Sequence, residues 1–107
     1  MVTNDTFRQI ALSFPESVEL PHFEKASFRF RKKIFATLSE TERLASLKLT
    51  PEDQTKFCAT DENLIYPVPN KWGQQGWSIV NLKNVDRELL TELLEAAFKT
   101  LSVKKSK

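Results

Sequence analysis

The chain has 107 residues and a mass of 12.4 kDa, the length of one domain, and 40% of its residues are hydrophobic. That supply of apolar side chains is enough for one core, whereas one cysteine and two glycines exclude a disulfide scaffold and a Gly-rich repeat. The net charge of +2 neither demands nor excludes a polyanionic partner.

An amphipathic helix is predicted at the start of the chain. The i, i+3, i+4, i+7 spacing expected for such a helix is met by Phe7, Ile10, Ala11 and Phe14. Residues 3–5 offer N-cap side chains, and Pro15 ends the helix because proline cannot continue its hydrogen-bond ladder. Residues 15–24 are then predicted to form an irregular connection.

Three short strands follow. Apolar and polar side chains alternate from Ala26 to Arg31, which is typical of a half-buried strand and puts both arginines of the segment on one face. Lys32-Lys33 is predicted as a tight turn. Residues 34–38 and 44–49 form the next two strands, so an antiparallel meander is the economical interpretation.

The second half of the chain mixes short helices and strands. Thr50 and Pro51 favour a helix start, and this short helix runs to about Cys58. Residues 64–68 contain a proline and predict an edge strand, whereas residues 77–82 predict a full strand. Asp86 caps a long apolar-striped helix that reaches Leu101. The fold class is therefore α+β, an antiparallel sheet covered by helices in the order α-β-β-β-α-β-β-α.

No apolar run approaches the roughly 20 residues that span a bilayer, and the polar start is not a secretory signal. With a single cysteine, these features predict a cytoplasmic protein. One domain is expected over residues 1–103, followed by a disordered basic tail at residues 104–107.

The positive charge is concentrated in two places, the first hairpin and the C-terminal tail. Residues 22–33 hold five basic residues and one acidic residue, and the predicted phosphate contacts are Arg29, Arg31, Lys32 and Lys33. Supporting contacts are assigned to Lys48, Lys71 and Trp72. The alternative is that these charges are solvated and only deter edge-to-edge aggregation.

Few side chains suggest chemistry. His22 is the single histidine and Cys58 the single cysteine, so a catalytic centre or a structural zinc site is not indicated. A small-ligand site around His22 and Arg29 remains an alternative. Residues 72–77 hold both tryptophans and both glycines of the chain, which suits either a partner-binding loop or the closure of a core.

Taken in order, these segments resemble the MmcQ/YjbR family of small bacterial proteins. The segments that carry the resemblance are 21–25, 27–31, 33–38, 47–52, 66–69, 72–73, 76–78, 80–82 and the helix 86–101. The resemblance implies a secretion-chaperone-like α/β sandwich with a double-wing arrangement of hairpins, for which DNA binding is suggested by fold analogy. The polar or aromatic positions that match are His22, Ser27, Arg29, Lys33 and Trp77. Lys32 stands where the family usually has glycine in the hairpin turn, and a lysine at positive φ would be strained.

The resulting functional hypothesis is a non-catalytic DNA-binding module with weak sequence preference, which needs no cofactor or metal. No residue set indicates base-edge recognition, so the contacts would be mainly to phosphates. The alternative is a protein-interaction or chaperone-like adaptor that uses the Trp72–Trp77 loop.

Overall fold

The computed structural model describes residues 2–22, 25–59, 64–69 and 71–102, without the side chains of His22 and Ser102. The helices are α1 (Asn4–Leu12), α2 (Pro51–Cys58), α3 (Lys71–Gln74) and α4 (Arg87–Ser102). The strands are β1 (Ser17–His22), β2 (Lys25–Phe30), β3 (Lys33–Ser39), β4 (Leu44–Lys48), β5 (Ile65–Pro67) and β6 (Trp77–Asn81). The predicted tail at residues 104–107 lies outside the described residues.

Local capping fixes where the three longer helices begin. The Thr3 hydroxyl accepts a hydrogen bond from the amide of Thr6 at 3.1 Å, and Thr50 does the same for Asp53 at 3.1 Å. The Asp86 carboxylate accepts from the amide of Leu89 at 2.7 Å. These contacts satisfy backbone donors that have no partner within the helix, so the predicted helix starts are confirmed.

The described strands form one antiparallel sheet in the order β1-β2-β3-β4-β6-β5. The α+β class and the meander are confirmed, and β5 is the edge strand that its proline predicted. The irregular connection predicted for residues 15–24 is wrong, because β1 pairs with β2 along its whole length. Pro21 is tolerated there because β1 is the other edge strand, which has a pairing neighbour on one side alone.

The β2–β3 turn lies one residue earlier than predicted. Arg31 and Lys32 are its two central residues, with φ values of 53° and 73°, and Phe30 pairs with Lys33. Two positive φ values in a two-residue hairpin are the geometry of a type I′ turn, which normally takes Asn-Gly. The turn therefore keeps its positive-φ geometry although it lacks glycine, at a cost of about 1–2 kcal/mol per residue.

The hydrophobic core lies on one face of the sheet, beneath α1 and α4. Phe7, Phe28 and Phe35 are fully buried there, and the ring of Phe14 stacks on that of Phe98 with centroids 4.9 Å apart. A β-bulge shifts the register between Phe28 and Arg29. The extra residue lets Phe35 and Ala36 both enter the core, and it leaves Ile34 and Thr37 on the opposite face.

One short helix was not predicted from the sequence. Residues 71–74 form a single turn of helix, α3, where the sequence predicted a loop.

Within the described ranges, no helix has both the length and the apolarity that crossing a membrane requires.

Candidate functional site

The sheet face opposite α1 and α4, here called the open face, is apolar, aromatic and basic. The alternation and registers of the strands place on it Val18, Leu20, Lys25, Ser27, Arg29, Ile34, Thr37, Ser46, Lys48, Tyr66, Trp77 and Ile79. Among the described strand residues on this face the charged ones are Lys25, Arg29 and Lys48, and all three are basic. The open face thus combines a flat apolar surface with positive charge.

A groove of about 460 Å³ crosses the open face. Its lining residues are Lys25, Ile34, Thr37, Ser46, Val68, Trp72 and Trp77. Trp72 projects from α3 at one rim and is 57% exposed, whereas Trp77 is half-buried at the start of β6. The groove is therefore walled by two indole rings.

The two glycines of the chain hold these tryptophans in place. A Cβ on Gly73 would stand 1.9 Å from the Val68 carbonyl oxygen, and one on Gly76 would stand 1.8 Å from that of Leu49. Gly76 also has a φ of +107°, which side chains rarely adopt. The unusual composition of residues 72–77 therefore has a structural cause, the close approach of two backbone segments.

A glutamine on α2 also holds residues 73–78 in place through side-chain hydrogen bonds. Gln54 Nε2 donates to the carbonyl oxygens of Gly73 at 2.8 Å and Trp77 at 3.1 Å, and to the Ser78 hydroxyl at 3.2 Å. Because these bonds join α2, α3 and β6, the wall of the groove is positioned before any ligand arrives.

Arg29 is held across the open face by Ser27. Arg29 Nε donates to the Ser27 hydroxyl at 3.0 Å, and that hydroxyl donates to the Leu20 carbonyl oxygen at 2.9 Å. Ser27 is fully buried although its strand position faces outward. This accounts for serine and arginine at the two matching family positions: the serine orients the guanidinium group.

The other basic residues of the predicted hairpin patch do not join Arg29. Arg31 lies in the turn, its Nε is 3.3 Å from a carboxylate oxygen of Glu16, and its guanidinium lies 5.0 Å from the centroid of the Phe30 ring. Lys32 is exposed at the tip, and Lys33 pairs with Phe30 on the helix-bearing side. The prediction that Arg29 and Arg31 share a strand face is therefore wrong, because the turn begins at Arg31.

The remaining predicted contacts lie near the groove. Lys48 pairs with Trp77 on the open face, and its ammonium donates to the Gln75 carbonyl oxygen at 2.5 Å. Lys71 is exposed at the start of α3, next to Trp72. The backbone of His22 pairs with Lys25 at the end of β1, and its side chain lies outside the described part. Sequence reasoning missed Lys25 and Ile34, although extending the alternation by one residue would have put Lys25 beside Ser27.

The basic residues of the open face differ from Arg8 of α1 in their ion pairing. Arg8 binds both carboxylate oxygens of Glu19, the nearer at 3.0 Å, and also pairs with Glu40. These hydrogen bonds raise the pKa of Arg8 above its ordinary value. Within the described ranges, by contrast, Lys25, Arg29 and Lys48 have no carboxylate at ion-pairing distance.

The titratable groups elsewhere offer little chemistry. Burial raises the pKa of the Cys58 thiol, and a hydrogen bond with Ser78 opposes that shift more weakly. The thiol is therefore protonated at neutral pH and is a poor nucleophile. In the described part of the chain, no three His, Cys, Asp or Glu side chains lie close enough together to hold a metal ion.

Comparison with known proteins identifies the fold. The model of the YjbR family matches residues 12–100. This chain belongs to the YjbR family. The crystal structure of Deinococcus radiodurans protein DR2400, which contains a DUF419 domain, superimposes with a TM-score of 0.83 at 26% identity. That match covers 97% of this chain and 81% of DR2400. No curated protein matches the sequence. YjbR is not a known enzyme family, so membership indicates a fold and leaves the activity to be argued from the site.

Proposed function

We propose that this YjbR protein is a non-catalytic nucleic-acid-binding module whose contact surface is the open face. The observation that carries the proposal is that Lys25 lines an aromatic groove while Arg29 and Lys48 pair with residues that line it, and none of the three has a carboxylate partner within the described residues. Positive grooves with aromatic walls follow a phosphate backbone while bases stack on the rings.

Arg29 is the expected centre of the phosphate contacts. Its Nε is occupied by Ser27, which fixes the plane of the guanidinium and so reduces the rotamer entropy lost on binding. Lys25 lies on the same face of the same strand, and Lys48 pairs with Trp77, which lines the groove. The exposed Lys32 and Lys71 add flanking charge, whereas the predicted contact Lys33 lies on the helix-bearing side.

The proposal includes weak sequence preference and a cytoplasmic setting. Phosphate contacts carry no sequence information, and the floor of the groove offers only two small hydroxyl side chains, Thr37 and Ser46. A single, protonated cysteine is compatible with a reducing compartment.

The test is binding to a fluorescent DNA oligonucleotide measured by anisotropy over a salt series. A variant with Lys25→Ala, Arg29→Ala and Lys48→Ala is expected to bind less tightly. The slope of log K against log salt should fall by about 0.7–0.9 for each phosphate that the variant no longer neutralises. The matched control removes three exposed basic residues elsewhere, Lys56, Lys83 and Arg87, and should leave the slope almost unchanged.

Two results would contradict the proposal. One is the absence of salt-dependent binding by the natural sequence. The other is an equal loss of affinity in both triple variants, which would show that only overall charge attracts the DNA. A third variant with Arg31→Ala, Lys32→Ala and Lys33→Ala separates the open face from the hairpin tip, and we expect its affinity to fall less than that of the open-face variant.

A protein-interaction role is the second candidate, favoured by one observation. Val18 and Leu20 are 47% and 44% exposed on the edge strand β1, on the same face as Trp77. An edge strand with exposed apolar side chains can accept a further strand from a partner. A complex that is indifferent to salt and abolished by Leu20→Lys at this edge, or by Trp72→Ala at the groove, would favour this function over nucleic-acid binding.

A further inference from the structure

We propose that the groove of the open face receives an unpaired nucleobase, so that the protein prefers single-stranded nucleic acid to duplex. This inference rests on the proposed function, which it narrows to one class of ligand. The site combines a groove with aromatic walls and basic side chains in and beside that groove.

The aromatic walls add little to a duplex that is bound through its phosphates alone. Within a double helix both faces of each base are covered by its neighbours, so a protein that only follows the phosphates gains nothing from exposed indoles. Trp72 nevertheless exposes 57% of its surface, and the glycines and Gln54 hold it and Trp77 on the groove. An unpaired base presents a free ring face, which such side chains can stack against.

The floor of the groove is suited to the edge of a base. Thr37 and Ser46 pair across β3 and β4, and both line the groove together with Lys25 and apolar or aromatic side chains. Neither hydroxyl donates a hydrogen bond to another described residue. Hydroxyl groups donate and accept, so they satisfy base edges of either kind and do not select one sequence.

The cationic groups lie where the backbone of a single strand would pass. Arg29 pairs with Ile34, which lines the groove, and Lys25 lines it directly. Lys48 pairs with Trp77, another lining residue. A strand whose base enters the groove would therefore have neighbouring phosphates within reach of these basic side chains.

The experiment compares three DNA ligands with equal numbers of phosphates. They are a single-stranded oligothymidine, a blunt hairpin duplex, and an abasic single strand that retains the sugar-phosphate backbone. Anisotropy gives the affinity of each ligand. Because Trp72 and Trp77 are the two tryptophans of the whole chain, intrinsic fluorescence reports base contact directly.

We expect oligothymidine to bind at least about tenfold more tightly than the abasic strand, because one stacked base typically contributes that gain in affinity. Tryptophan fluorescence should be quenched by oligothymidine and not by the abasic strand. Duplex should bind without this quenching, through phosphates alone.

Three variants test whether the tighter binding of oligothymidine arises in the groove. Trp72→Ala should lower affinity for oligothymidine about tenfold while leaving the abasic strand unaffected. Trp72→Phe retains an aromatic ring and should recover most of that affinity. Leu12→Ala removes an exposed apolar side chain from α1, and the affinities for all three DNA ligands should stay unchanged.

The outcomes separate this inference from the function on which it rests. Equal affinity for oligothymidine and the abasic strand, with unchanged fluorescence, overturns the base site and leaves phosphate binding intact. Tighter binding to duplex than to either single strand overturns it as well. Failure of all three ligands to bind refutes both proposals, and a salt-indifferent protein complex through Trp72 would then support the adaptor function.

Discussion

Replacing Gly76 by alanine is expected to destabilise the protein by about 3 kcal/mol. The new Cβ would lie 1.8 Å from the Leu49 carbonyl oxygen, so one backbone segment must move. A φ of +107° costs an alanine about 1–3 kcal/mol. Movement would also weaken the hydrogen bond from the Leu49 amide to the Gly76 carbonyl oxygen, 3.0 Å long and worth about 1 kcal/mol.

Urea unfolding followed by tryptophan fluorescence measures this loss of stability, with circular dichroism as a second probe. The matched control is Gln75→Ala, an exposed position in the same turn, which should change the free energy of unfolding by less than about 0.5 kcal/mol. If Gly76→Ala unfolds at the same urea concentration and with the same slope as the natural sequence, the close approach of residues 49 and 76 is wrong.

Three further predictions concern the turn, the α1 ion pairs and the thiol. Lys32→Gly should stabilise the protein by up to about 1 kcal/mol in urea unfolding, since glycine adopts a φ of 73° freely; a loss of stability would contradict the positive-φ turn. Arg8→Met should cost about 1 kcal/mol by leaving Glu19 and Glu40 unpaired, and 1 M salt should shrink that difference; a salt-independent cost would indicate packing instead. Cys58 should react with a disulfide reagent more slowly in the folded than in the urea-unfolded protein, because burial raises its pKa; equal rates would contradict that burial. Its protonated form contributes stability below the unfolded pKa that is lost as pH rises through the folded pKa, and Cys58→Ala should remove this decline.

The long helices were predictable because their signals are local. Thr3, Thr50 and Asp86 cap helices through contacts three residues away, and the apolar spacing of each helix requires no knowledge of its neighbours. The alternation that predicted β2 is equally local, although its end was placed one residue too far because the turn residues are Arg31 and Lys32.

The strand β1 could not be recognised from its own residues. Its apolar Val18 and Leu20 face outward and Glu19 faces the helix side, where it pairs with Arg8. This reverses the usual pattern of a half-buried strand, and Pro21 argues further against one. Pairing with β2 over six residues supplies the hydrogen bonds that the local pattern does not suggest.

The sequence by itself determined the fold class, the helix starts and the concentration of positive charge near residues 22–33. The tertiary structure alone decided which of those charges share a surface. Arg29 and Trp77 share the open face because β4 pairs with β3 on one side and β6 on the other, and hydrogen bonds between distant segments set that order. The same registers send Lys33 to the other face, since one residue of shift in a strand reverses the direction of its side chain.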